Sequence, residues 1–209
     1  MPDTTHTIRY RDPIEAIRSI WKDPALSPHI VYRPRKVFSS RDRKNRIYTE
    51  LWTGQWWHAV QSRLPVGATV APVIIATDKT QLTHFSGGKS AYPVYLTIGN
   101  IPKGLRRKPT KNACILIAYL PVESAKLKGS GLSEKNVKIR NHRLFHEAMR
   151  LVLSPLIKAG TDGVEMTSGN GEVRNVHPIL ACYAADYPEQ CIVASTKYGT
   201  CPKCRTPAN

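Results

Sequence analysis

No stretch of this sequence approaches the roughly 20 apolar residues that a membrane-crossing helix needs. The opening residues, MPDTTHTIRYRDP, hold no apolar run that could serve as a secretory leader. These absences argue against a membrane partner and against secretion, and point to the nucleus or the cytoplasm. Cysteine is sparse: five residues, an odd number without the spacing of a disulfide framework, which fits a reducing compartment. Acidic side chains are the third shortage. Against 31 Lys and Arg there are 15 Asp and Glu, a formal net charge of +16. Neutralising phosphates releases condensed counterions, so with this excess nucleic acid is the first partner to expect. What remains is ordinary, since 209 residues and 41% hydrophobic content suit one domain with appendages.

Asp12-Pro13-Ile14-Glu15 reads as a helix start, with Asp12 as N-cap, Pro13 at N1 and Glu15 reaching back. Ile14, Ile17 and Trp21 then share a face until Asp23-Pro24 ends the run. Residues 27 to 44, with YRPRK and RDRKNR, read as a basic connector without a clean period. Between about Arg46 and Arg63, Tyr48, Trp52, Trp56 and Val60 recur every four residues, flanked by Ile47, Leu51 and Trp57. That spacing predicts a helix with a broad apolar face. Its tryptophans suit core packing better than a base-stacking platform.

Beyond residue 66 the pattern turns extended. Thr69–Ala76 is a nearly continuous apolar run ending at Thr77-Asp78, as expected of a strand buried on both faces. Tyr92–Ile98 and Ala113–Leu120 read as two more strands, and Cys114 and Cys182 as small core residues within apolar strands. A Lys-rich loop with Gly129-Ser130-Gly131 leads into a helix from about Asn141 to Ala159, stopped by Gly160. Leu144, Phe145, Ala148, Met149, Val152, Leu156 and Ile157 form its buried stripe. Val164–Val176 reads as a hairpin with a type I′ turn at Asn170-Gly171, and His177–Ala185 as a last buried strand before Asp186. The fold class is therefore α/β with a mixed sheet. Strand, strand, strand, helix, strand fits a partial RNase H-like core, a three-strand meander, a helix and a parallel strand, behind an N-terminal helical extension.

A right-handed crossover sets the last strand beside the first, so Asp78 and Asp186, at their ends, can lie side by side. Paired carboxylates suit Mg²⁺ and metal-assisted phosphoryl transfer. An Asp after a strand also serves as a plain turn or cap residue. Five cations, Lys103, Arg106, Arg107, Lys108 and Lys111, cluster between the second and third strands, as a phosphate-contacting patch or a solvated loop.

Ala76-Thr-Asp-Lys-Thr-Gln-Leu-Thr83 and Ala91-Tyr-Pro-Val-Tyr-Leu-Thr-Ile-Gly-Asn-Ile-Pro-Lys103 closely resemble fungal Plavaka-type transposases of the Kyakuja-Dileera-Zisupton group. Tyr10–Pro13, Asp162–Thr167, His177–Leu180, Ala185–Gln190 and Cys201–Cys204 also look like that family's segments, in its order, so the likeness spans essentially the whole chain. The resemblance implies a DDE-type enzyme, in which three acids on an RNase H-like core bind Mg or Mn for DNA hydrolysis and strand transfer. Asp78 matches the first acid and Asp186 the second. The third is expected on a later helix, and the chain reaches Asn209 without it. Glu189, three residues after Asp186, is a poor stand-in because one turn would have to serve two ligand roles. The expectation is an N-terminal part of a transposase that binds DNA and is inactive alone. Its parts are an extension over 1–66, a partial core over 67–190 and the start of a zinc-binding insertion over 191–209.

Cys201-Pro-Lys-Cys204 has the spacing of half a tetrahedral zinc site, which Cys191 or His177 could extend. Gly87-Gly88-Lys89-Ser90 lacks the earlier glycine and following helix of a phosphate-binding loop and reads as a turn. His142 and His146 share a helix face, but without a third ligand they read as a solvated or packed pair. Two further readings stand beside the transposase. One is a non-catalytic nucleic-acid-binding or interaction module on the same fold; the other is a relic without stable structure, its sheet left partly uncovered.

Overall fold

A computed structural model describes residues 5–83, 89–122, 133–204 and 206. The turn read at Gly87-Gly88 and the loop around Gly129–Gly131 lie outside the described residues. The fold is mixed α/β. Its main sheet has six strands: β1 (Arg9–Tyr10), β4 (Thr69–Thr77), β7 (Pro93–Ile98), β8 (Cys114–Tyr119), β9 (Val164–Thr167) and β10 (Val173–Ala184). They lie in the order β1, β8, β7, β4, β10, β9. Two small ladders, β2 (Val37–Phe38) with β3 (Arg46–Ile47) and β5 (Thr80–Gln81) with β6 (Ser90–Ala91), stand apart. Helices α1 (Pro13–Lys22), α2 (Gln55–Gln61), α3 (Lys103–Arg106), α4 (Glu134–Asp162) and α5 (Tyr187–Val193) complete the framework.

β4, β7 and β8 form an antiparallel meander, and β10 returns after α4 to run parallel to β4, with Val70 beside His177 and Ala76 beside Ala184. This long parallel pairing places the C-terminal ends of β4 and β10 next to each other. The core joins Val73, Ile75, Val94, Leu96, Ile98 and Ile117 of the sheet to Phe145, Met149 and Val152 of α4. Ile17, Ile20 and Trp21 of α1 are completely or almost completely buried in the same core. Asp12 caps α1, accepting from the Ile14 N–H at 2.7 Å, while Glu15 turns to Arg18 instead of reaching back.

Several elements differ from the sequence reading for identifiable reasons. The Trp-rich stretch is a 3-10 turn at Leu51–Thr53 followed by the short α2. The Thr53 hydroxyl accepts the N–H groups of Thr49 and Glu50 at 2.9 and 3.2 Å, and Gly54 is extended, so one continuous helix cannot form. α4 begins earlier, at a cap where Ser133 Oγ accepts the Asn136 N–H, and passes through Gly160 to stop at Gly163, whose φ is 79°. Gly160 has another role, since a Cβ there would stand 3.0 Å from the Pro178 carbonyl oxygen of β10. Ile157, expected in the stripe, is 73% exposed. The turn between β9 and β10 has positive φ at Gly171 and not at Asn170, so it is not type I′. Cys114 and Cys182 are exposed. They stand in one cross-strand row with Ile74 and Thr97. Tyr95 and Leu180 are also substantially exposed on this sheet.

Candidate active site

Asp78 directly follows β4, and Asp186 stands two residues past the end of β10. Because Ala76 pairs with Ala184, both acids lie two residues beyond one matched pair, on adjacent strand ends. Both are exposed. Asp186 also caps α5: its Oδ1 accepts the Glu189 N–H at 3.0 Å, and Pro188 follows in the first turn. Among the described residues, no hydrogen bond or ion pair engages the Asp78 carboxylate.

Glu189 occupies a place that its distance from Asp186 in sequence conceals. The first turn of α5 carries it inward, where it is 7% exposed. Its carboxylate accepts from the Thr77 hydroxyl and from Tyr183 Oη, the latter at 3.2 Å. Tyr92 is a further hydrogen-bonding neighbour. Burial pushes the Glu189 carboxyl above its ordinary value, the two tyrosines oppose that shift, and the charges of Asp186 and Asp78 add to it. Burial also raises the phenols of Tyr92 and Tyr183, reinforced in both by Glu189. An inward carboxyl thus sits beneath two outward ones. Among the described residues, no three His, Cys, Asp or Glu side chains gather as a metal-binding group.

The five-cation loop lies at the other end of the sheet. β7 runs antiparallel to β4, bringing Gly99 N–H to the Pro72 carbonyl at 2.7 Å and Asn100 Nδ2 to the Val70 carbonyl at 3.0 Å. Eight residues of extended chain separate Val70 from Asp78, or about 26 Å. Two of the five cations turn to the protein itself. Arg106 Nε donates to the Ile101 carbonyl at 2.9 Å with Nη2 3.7 Å from Glu50, and Lys103 Nζ donates to the Thr49 carbonyl at 3.2 Å. Burial lowers the Arg106 guanidinium, with Glu50 opposing. Arg107, Lys108 and Lys111 are exposed, and Arg106 is half-buried.

A model of the Plavaka transposase family matches residues 1–209, the whole chain. The chain belongs to that family. Comparisons with curated proteins and with solved structures return no match.

In this Plavaka chain the Cys201–Cys204 pair closes on itself. The Cys204 N–H points at Cys201 Sγ at 3.5 Å, and Cys204 Sγ lies 3.2 Å from the Thr206 hydroxyl. Chiefly through Thr206, the exposed Cys204 thiol is brought down to about 7. Cys191 is buried in α5, with its thiol 3.8 Å from the Thr200 carbonyl. His177 does not join this pair. It is buried in the first half of β10, and its Nδ1 donates to the Gly160 carbonyl at 3.1 Å. His146 Nε2 donates to the Ile192 carbonyl at 2.9 Å, tying α4 to the end of α5. The histidine pair is thus partly structural.

Proposed function

We propose that this Plavaka transposase chain acts on DNA through divalent-metal phosphoryl transfer, with Asp78 and Asp186 as its metal-holding carboxylates. The observation that carries the reading is their position two residues past the paired Ala76 and Ala184 on neighbouring parallel strands. A meander of β8, β7 and β4 with β10 beside β4 is the arrangement expected of an RNase H-like core. The donor chemistry fits: Mg²⁺ takes hard oxygen ligands and is commonly held by one or two carboxylates, with water and phosphate oxygens completing its shell. When bound, such an ion would withdraw charge from the phosphate and lower the proton affinity of an attacking hydroxyl. The chain's own part is to hold two exposed carboxylates at a fixed spacing, Asp186 by its bond to the Glu189 N–H and Asp78 by the paired end of β4.

Glu189 does not serve as a third outward ligand in this reading, because Thr77, Tyr183 and Tyr92 engage its carboxyl. A site of two outward carboxylates should therefore bind metal weakly and cleave DNA poorly. Mn²⁺ binding followed by electron paramagnetic resonance tests the site: Asp78→Asn and Asp186→Asn should each abolish the weak binding seen in the parent. Equal binding by all three proteins would sink the reading. Cys201 and Cys204, already turned towards one another, are proposed as half of a zinc site.

The second reading is a nucleic-acid-binding module without chemistry. It is favoured by that inward Glu189 carboxyl and by the +16 charge. DNA binding that is unchanged in both Asn variants, together with no Mn²⁺ binding in the parent, would select it.

A further inference from the structure

The basic connector is a folded element. Residues 31–49 contain seven Lys and Arg against a single acid, Asp42. β2 and β3 pair through Val37 with Ile47 and Phe38 with Arg46, and Ser39 N–H meets the Asn45 carbonyl at 3.0 Å. The tip closes through Arg43 N–H on the Ser40 carbonyl at 3.3 Å, with Arg43 at φ 56°. Asp42 is turned into the tip, accepting from the Ser40 hydroxyl and from the Lys44 N–H. Among the described residues it pairs with no cation. Lys36, Arg41, Arg43 and Lys44 are exposed and make no ion pair within the described residues.

This hairpin is anchored to the β7–β8 connection. Glu50 Oε1 and Oε2 accept the Lys103 N–H at 3.1 and 3.3 Å, Arg35 N–H donates to the Trp52 carbonyl at 2.8 Å, and Val31 N–H to the Asn100 carbonyl at 2.9 Å. Two basic clusters about 60 positions apart in sequence therefore meet at one end of the sheet. Lys103 and Arg106 bind the hairpin's exit, which leaves Arg107, Lys108 and Lys111 outward beside it.

We propose that the β2–β3 hairpin and the β7–β8 connection form one surface that grips the phosphate backbone of duplex DNA, at the end of the sheet opposite Asp78 and Asp186. The choice of DNA rests on the DNA-processing reading above; the surface itself rests on the cations and their anchoring. An amphipathic membrane-binding face carries large apolar side chains beside its cations. Here the exposed large apolar or aromatic residues are Val37 and Tyr48, and Tyr48 carries the Arg46 guanidinium 4.8 Å over its ring. At about 3.4 Å per base pair, the roughly 26 Å between the two ends corresponds to about eight base pairs. Phosphates gripped here would belong to DNA that flanks the reacting position.

Fluorescence anisotropy of the full 209-residue chain on a 30-base-pair mixed-sequence duplex, titrated with KCl, tests the surface. Two variants, Arg41→Ala/Lys44→Ala and Lys108→Ala/Lys111→Ala, remove exposed charges and should leave the circular dichroism spectrum and melting unchanged. Each should bind at least tenfold more weakly at 100 mM KCl and flatten the salt dependence by up to about two units, at roughly 0.9 per lost phosphate contact. Parent-like affinity and slope in both double variants would overturn the surface, and if Mn²⁺ binding at Asp78 persists, the metal reading survives that failure. A parent chain that binds phosphatidylserine vesicles but no duplex would overturn DNA as the partner.

Discussion

The Thr77 hydroxyl donates to the Glu189 carboxylate, joining the last residue of β4 to the first turn of α5 across 112 positions of sequence. The contact is buried and lies between the two proposed metal-holding acids, with Thr77 preceding Asp78 and Glu189 following Asp186 by three. Tyr183 Oη stands 2.7 Å from the Thr77 hydroxyl and 3.2 Å from the same carboxylate. Removing a donor from a buried carboxyl leaves desolvation uncompensated, a loss of about 1–3 kcal/mol. Thr77→Val should destabilise the fold by that amount in urea denaturation, while Thr77→Ser should recover most of it. If Val and Ser variants unfold alike, the hydroxyl is not the stabilising group.

His142 supplies a pH dependence with a definite sign. Burial, then the charge of Lys138 and then His146, lower its imidazole below the ordinary value of 6.5. The folded state thus binds the proton less well than the unfolded chain. The contribution of neutral His142 is fully present above about 6.5 and is lost as pH falls through the lower folded value. In nuclear magnetic resonance titration its ring should titrate below 6.5. His142→Gln should flatten the stability profile on the acid side of that value. A ring that titrates at or above 6.5 would contradict the burial argument.

Strands β4, β7 and β8 were legible because their apolar runs are bounded by Gly, Pro or Asn, and β4 is buried or half-buried along its whole length. The neighbouring ends carrying Asp78 and Asp186 followed from the handedness of the crossover alone. Glu189 was set aside as a metal ligand for its closeness to Asp186, and that spacing carries no sign of where its side chain goes. A helix N-cap instead sends its third residue in a direction that sequence spacing does not specify, here towards Thr77 and Tyr183. The hairpin of β2 and β3 escaped notice because two-residue strands carry no alternation to detect. The Trp stripe misled for a visible reason: Thr53-Gly54 interrupts the period, and the Thr53 hydroxyl takes up the N–H groups a helix would use.

Gly160 and Gly163 make a paired test of the end of α4. A Cβ at Gly163 would meet the Asn175 side chain, and the backbone there is at φ 79°. Gly163→Ala should therefore cost about 1–3 kcal/mol through backbone strain and displacement of Asn175. Gly160 is helical, where alanine is intrinsically preferred by about 1 kcal/mol, but its Cβ would press on the Pro178 carbonyl oxygen at 3.0 Å. Gly160→Ala should consequently be the milder change. A larger loss at 160 than at 163 in thermal or urea unfolding would mean that the contact with β10, rather than the turn out of the helix, limits this junction.

Asp186 carries two loads that substitution can separate. As the cap of α5 it accepts the Glu189 N–H, a bond that Asn can also make and Ala cannot. Asp186→Ala should lose about 1 kcal/mol of stability, whereas Asp186→Asn should unfold close to the parent. Metal binding depends on the negative oxygen instead, so both variants should lose Mn²⁺. Asp78 bears no cap, and Asp78→Asn should keep full stability while losing the metal. If Asp186→Asn retains Mn²⁺ affinity, Asp186 is only a helix cap, and the second carboxylate of the site must come from elsewhere.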